Sequence, residues 1–228
     1  METLSNGFTL EIPNGAFPLS TDSMLLHAFV RLPKNASVLD LGSGCGTLGT
    51  LLCARDASCH VTGIELDHAA HEAALENIRR NELQSRIKNI CADLRAIPAE
   101  LKPGSFDICV SNPPYFTGGP ASSTPLARRD DCCSTAELFA AAAKMLKYGG
   151  DFALVHKPER LAQLVACAVA QSLEPKRLCT VRYKPDGPVS LILLSCRKGG
   201  KTGLQWEEVC LTDAQGNPSD YYQSIYHL

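Results

Sequence analysis

The chain has 228 residues, 45% of them hydrophobic and 20% charged, with a formal net charge of −2 at pH 7. That length and apolar content suit one buried core that does not split in two, so a single domain is expected. No run approaches the roughly 18 consecutive apolar residues that a membrane-spanning helix needs, which excludes that class.

The first residues, Met1-Glu2-Thr3-Leu4-Ser5-Asn6-Gly7, contain neither a basic n-region nor an apolar h-region, so the expected location is cytoplasmic. Thr9 to Ile12 reads as a short strand. Ser20-Thr21-Asp22 supplies capping side chains for a helix to about Arg31, stopped by Pro33. Ser37 to Leu41 is a short apolar run, a buried strand, and a glycine turn then opens a helix from Gly46 to Arg55. Cys59 to Ile64 is the next strand. Asp67 to Leu83 is a helix with Leu66, Ala70, Ala74 and Ile78 along one side, and strands follow at Ile87 to Cys91 and Phe106 to Ser111.

Phe116 to Cys133 is irregular and contains Gly118-Gly119-Pro120 and Pro125, the mark of a functional loop. Ser134-Thr135-Ala136-Glu137 fits a capping box and starts an alanine-rich helix to Tyr148, closed by Gly149-Gly150. Strand Phe152 to His156, helix Pro158 to Ser172 and strands Arg177 to Tyr183 and Val189 to Cys196 complete the core. Lys184 to Pro188 is long enough for a hairpin and too short for a crossover helix. The expectation is therefore an α/β, Rossmann-like fold with helices on both faces of a seven-stranded, mostly parallel sheet in which one strand is antiparallel. Trp206 to Leu211 is a candidate extra strand, and Asp220 to Leu228 a tyrosine-rich tail that packs on the core.

Eleven cysteines, an odd number, include no C-x-x-C pair. Those within apolar stretches serve as small hydrophobes, and no metal site is expected. The charge is unevenly spread: Lys176, Arg177, Arg182, Lys184, Arg197, Lys198 and Lys201 face a single acid, Asp186, between residues 176 and 201. Such a zone fits a polyanion partner and fits equally a strand edge blunted with cations.

Chemistry concentrates in two places. In Val38-Leu39-Asp40-Leu41-Gly42-Ser43-Gly44-Cys45-Gly46 the three glycines clear the space beside a turn that runs close under a ligand. The spacing G-x-G-x-G departs from the dinucleotide fingerprint, and no Gly-Lys-Ser/Thr ending follows, which disfavours NAD and ATP. Glu65 ends the next strand, where an acid can accept both hydroxyls of a ribose. The second place is Asn112-Pro113-Pro114-Tyr115.

Together with Gly63-Ile64-Glu65-Leu66-Asp67 and Cys91-Ala92-Asp93-Leu94, these segments resemble the class I S-adenosylmethionine-dependent methyltransferases of the amino-methylating branch. Ser20 to Leu26, Ala74 to Leu83 and Ala127-Arg128-Arg129-Asp130 narrow the resemblance to the bacterial tRNA(Val) adenine-N6 methyltransferase family. The resemblance implies that Asp40, Leu41, Gly42, Ser43, Gly44 and Gly46 hold the methionine part of S-adenosylmethionine. It places Glu65 at the ribose, Asp93 and Leu94 beside the adenine, Thr21 and Asp22 near the amino acid end, and Leu66 and Asn112 among the cofactor-binding residues as well. Residues 1–36 then form a strand and helix extension packed on a methyltransferase domain at 37–228.

A conjugated amine or amide nitrogen is a poor nucleophile because its lone pair is delocalised. The Asn112 oxygen and the Pro113 carbonyl can each accept one of its N–H groups and aim the lone pair, with Pro113 and Pro114 fixing the backbone. Tyr115 can stack on a flipped base. Arg128, Arg129, Lys184, Arg197 and Lys198 are candidates for RNA phosphates. The expected activity is adenine-N6 methylation of RNA, with tRNA implied by the resemblance. Protein glutamine-N5 methylation makes the same demands on the tetrapeptide and stays open, as do ribosomal RNA and DNA amino groups. The short segment before the glycine turn and the basic zone favour RNA.

Overall fold

The computed structural model describes residues 2–4, 7–12, 19–113 and 133–226. Two short strands, β1 (Glu2–Thr3) and β2 (Thr9–Leu10), pair antiparallel. Helix α1 (Thr21–Phe29) follows, capped by Ser20, whose hydroxyl accepts the Ser23 N–H. Then come β3 (Ser37–Leu41), α2 (Thr47–Arg55), β4 (His60–Glu65), α3 (His68–Arg80), β5 (Ile87–Cys91) and β6 (Phe106–Ser111). The C-terminal half contributes α4 (Thr135–Met145), β7 (Leu146–His156), α5 (Leu161–Ala170), β8 (Leu173–Arg182), β9 (Val189–Lys198), β10 (Gln205–Cys210) and α6 (Asp220–Ser224).

The main sheet has eight strands in the order β10-β8-β9-β7-β6-β3-β4-β5. Only β9 runs against its neighbours, because the short 184–188 connection returns the chain as a hairpin. The eighth strand is the candidate at Trp206, which joins β8 in parallel with Trp206 opposite Leu178. Strand alternation splits the core into two layers. Val38, Val61, Ile108 and Ala153 face α1, α2, α3 and the hairpin residues Leu4 and Leu10, whereas Leu39, Ile64, Cys109 and Phe152 face α4 and α5. Tyr221, Tyr222 and Tyr226 pack against the first layer, as the tail reading anticipates.

The expected end of the alanine-rich helix needs correction. It stops at Met145, and buried Leu146 passes straight into β7 opposite Phe106. Gly149 and Gly150 lie in the irregular start of that strand, so pairing with β6 overrides the helix propensity of the preceding alanines. Pro158–Arg160 likewise forms a separate 3-10 turn before α5. Among the described residues no helix is long and apolar enough to cross a membrane.

Candidate active site

The parallel strands β3, β4, β5, β6 and β7 end along one edge of the sheet, where ligands of open α/β sheets bind. Between β3 and α2 the chain turns through Gly42, Gly44 and Gly46 with φ of 75°, 54° and 79°, a conformation that side chains with a Cβ resist. A Cβ on Gly42 or Gly44 would meet nothing within 4 Å, so both glycines border open space. The turn is anchored from behind by Gly42 and Ser43 N–H groups donating to the Ile64 carbonyl at 2.9 and 3.0 Å.

Gly63 is the tight spot under the turn, since a Cβ there would lie 2.5 Å from Asn89 Nδ2 and 2.7 Å from Ser43 Oγ. Asn89 Nδ2 donates to Ser43 Oγ at 2.8 Å, and its Oδ1 meets His71 Nδ1 at 2.6 Å. Asn77 and Asn81, four residues apart on α3, brace the turn from the other side. Asn77 Nδ2 donates to the carbonyls of Cys45 and Glu11, and its Oδ1 accepts the Glu11 N–H at 2.7 Å. Asn81 exchanges the same pair of bonds with Thr9 at 2.8 and 2.7 Å. Sequence reading assigned neither residue. Two asparagines spaced four apart on the core side of an amphipathic helix were the available signal.

Glu65 accepts the Gly44 N–H at 2.7 Å through one oxygen and the Asp67 N–H at 2.8 Å through the other. Its carboxylate is thereby fixed while each oxygen keeps a further acceptor site, suited to a pair of neighbouring hydroxyls. Asp40 is 1% exposed, and its Oδ2 has no hydrogen-bond partner among the described residues. Burial, helped by the nearby Glu65 charge and opposed by the Gly49 N–H, pushes its carboxyl up to about 7. A buried orphan acceptor beside an open glycine turn fits a ligand that brings a cationic donor.

Asp93 caps a 3-10 turn at Leu94–Ala96 and takes a two-pronged bond from Arg95, with Nη2 to Oδ2 at 2.6 Å. That bond holds its carboxyl below the usual range, and Leu94 and Leu66 lie at the ends of neighbouring strands. Asn112 follows β6. Asp40 pairs with Val110, so β3 runs into the glycine turn beside the end of β6 that leads to Asn112. Ser111 Oγ locks the two strand ends together by donating to the Leu41 carbonyl at 2.7 Å. Asn112 Nδ2 donates to Ser23 Oγ of α1 at 3.1 Å, which fixes how the amide is turned. Thr21 and Asp22 occupy the first turn of that helix.

The structure thus gathers Asp40, Leu41, Gly42, Ser43, Gly44, Gly46, Glu65, Leu66, Asp93, Leu94, Thr21, Asp22, Asn112 and Pro113 along one edge. Pro114, Tyr115, Arg128 and Arg129 lie outside the described residues. The basic candidates divide. Lys184 sits exposed in the β8–β9 hairpin, at the end of β8 that shares the edge with Asn112. Arg197 and Lys198 do not, because β9 runs the other way and carries them to the opposite edge. There Arg197 forks onto Asp151 at 2.8 Å and Lys198 donates to the Leu146 carbonyl at 2.8 Å.

Comparison with known proteins shows the family and the fold. A tRNA1(Val) (adenine(37)-N6)-methyltransferase of Bacteroides fragilis is 34% identical over 191 residues, 82% of this chain and 80% of its own. One of the same description from Tolumonas auensis is 32% identical over 223 residues, 96% of this chain and 92% of its own. In fold, the crystal structure of a predicted O-methyltransferase from Agrobacterium tumefaciens superposes with a TM-score of 0.76 at 19% identity, covering 90% of this chain and 95% of that one. Residues 20–171, which carry the glycine turn, Glu65 and Asn112, match the methyltransferase small domain, and the chain belongs to that family.

Proposed function

We propose that the protein transfers a methyl group from S-adenosylmethionine to N6 of an adenine in tRNA. The observation that carries this reading is the position of Asn112, side by side with the glycine turn and turned by Ser23. The names of the relatives supply the adenine and the tRNA. When bound, S-adenosylmethionine supplies a methyl group already activated by its sulfonium.

The residues that would hold it are those of the turn. Asp40 and the backbone of Gly42 to Gly46 take the methionine part, with the orphan Asp40 oxygen suited to its ammonium and Thr21 and Asp22 close to that end. Glu65 accepts the ribose hydroxyls, Leu66 packs beside the ribose, and Asp93 with Leu94 borders the adenine. The Asn112 side-chain oxygen and the Pro113 carbonyl each accept one N–H of the target amino group, which draws the nitrogen lone pair out of conjugation and aims it. Pro114 fixes the following backbone and Tyr115 stacks on the flipped base. Arg128, Arg129 and Lys184 meet backbone phosphates; Arg197 and Lys198, at the far edge, are left out of this group. In this reading residues 1–36 and 37–228 work as one domain, in the cytoplasm where tRNA is processed.

The test incubates the protein with labelled S-adenosylmethionine and separate pools of tRNA, ribosomal RNA, DNA and release factors. Label in tRNA as N6-methyladenine is the expected result. Label in release factors without RNA labelling overturns it in favour of glutamine methylation.

A further inference from the structure

A cavity of about 430 Å³ opens at the edge of the sheet opposite Asn112, on the face covered by α1. Buried Ile108, Ala153 and Ser195 form its floor, on three adjacent strands. Four cations, Arg31, Lys176, Arg177 and Arg197, line it against one carboxylate, Asp151. Three of the four come from the basic zone singled out in the sequence. It is distinct from the methyl-transfer edge: Asp151 and His156 stand at opposite ends of β7 pairing, five residues or roughly 16 Å apart.

The cations are held in place without being used up. Arg197 grips Asp151 through Nε and Nη2. Arg177 donates to the Phe29 carbonyl at 2.8 Å, bonds Glu207 just outside the cavity, and lies 4.2 Å over the Phe29 ring. Lys176 donates to the Lys201 carbonyl at 2.8 Å, and Arg31 reaches Gln205 at only 3.4 Å. A guanidinium has five N–H donors and an ammonium three, so Arg31, Lys176 and Nη1 of Arg197 keep donor capacity. Positive charge converging in a recess attracts an anion, and planar guanidinium forks match phosphate geometry. The volume lies within the range of sites for small organic ligands and far exceeds that of a lone phosphate.

We infer that this cavity binds a nucleotide, its phosphate among Arg31, Lys176 and Arg197 and its body against Val30, Ile108 and Ala153. The nucleotide is either free or one residue of an RNA chain. The inference stands apart from the identity of the methyl acceptor. The chain's single tryptophan, Trp206, adjoins Gln205 on the rim and is 70% exposed, so its fluorescence reports on this edge. ADP, pyrophosphate and tRNA are titrated separately, with S-adenosylhomocysteine saturating the glycine-turn site.

A saturable change with ADP, weakened about tenfold or more in the double variant Arg31→Gln, Lys176→Gln but not in Lys198→Gln, supports a free nucleotide. A response to tRNA alone, weakened in the same double variant, supports an RNA nucleotide. Circular dichroism checks that the double variant folds, and Arg31→Gln alone serves if it does not. No response to any probe, a response to pyrophosphate as strong as that to ADP, or equal responses in the original and double-variant proteins, overturns the inference.

Discussion

The two edges of the sheet are made from the same strands yet solve different problems. At the Asn112 edge, Glu65, Asp93 and Asn112 are half-buried, Asp40 is buried and keeps an unpartnered oxygen, and Lys184 stands exposed in a turn. At the far edge, charge is plentiful but neighbours restrain it, with Arg197 on Asp151 and Arg177 on Glu207. The difference teaches that a dense run of cations in sequence need not form one surface. A hairpin delivers alternate parts of the 176–201 segment to opposite ends.

The sharpest way to break this comparison is at Asn112. Asn112→Ala should lower kcat/KM by about 10²–10³-fold, the scale of losing one preset polar group at a reacting centre, while cofactor affinity stays within about threefold. Steady-state kinetics beside calorimetric titration separates the two; a parallel loss of cofactor affinity would show that Asn112 belongs to the turn.

Gly63→Ala comes next. Its Cβ would collide with Asn89 and Ser43, so stability should fall by about 1–3 kcal/mol and the cofactor should bind more weakly. Denaturant unfolding that matches the original protein would mean the turn yields freely.

Asp40 gives a pH signature. Its carboxyl sits near 7 in the fold against 3.8 as its ordinary value, so the folded state binds more protons between these pH values. Its contribution to stability therefore declines as pH rises from about 4 to about 7. Buried His27, lowered to about 4 chiefly by burial, acts in reverse: stability is kept above pH 6.5 and lost as pH falls toward 4. Asp40→Asn should remove the opposing Asp40 slope and so steepen the loss of stability on acidification. A cationic ligand favours the ionised carboxyl, so cofactor affinity should rise roughly fivefold from pH 6 to pH 8 and lose that rise in Asp40→Asn. A flat affinity profile in the original protein would place the ligand's cation elsewhere.

The smallest effect compares two lysines of one segment. Lys184→Gln should weaken tRNA binding a few-fold and reduce the salt slope by about 1, whereas Lys198→Gln should change neither. Equal effects would mean that RNA reaches both edges.

The alternation of strands and helices, the hairpin at 184–188 and the glycine turn were legible because each rests on local pattern: apolar period, connection length and glycine spacing. What escaped depends on distance in space. Gly63 reads as an ordinary strand residue until Asn89 and Ser43 are seen beneath it. Ser23 reads as part of a helix start, yet its hydroxyl turns Asn112 from 89 positions away. Arg197 and Lys198 looked equivalent to Lys184 because charge has no direction in a sequence, and only the antiparallel course of β9 separates them.

The asparagine brace on α3 also sets an order of events in folding. Its bonds to Thr9 and Glu11 join residues 72 and 66 apart, so the N-terminal hairpin gains them only after α3 exists. During synthesis at about 5–20 residues per second, that wait is roughly 4–14 s. Residues 9–11 thus dock only after α3 has been made, and their docking against Asn77 completes the support behind the Cys45 carbonyl. Ligand binding at the turn should accordingly slow the release of residues 2–12, which hydrogen exchange at the Thr9 and Glu11 amides would register as added protection.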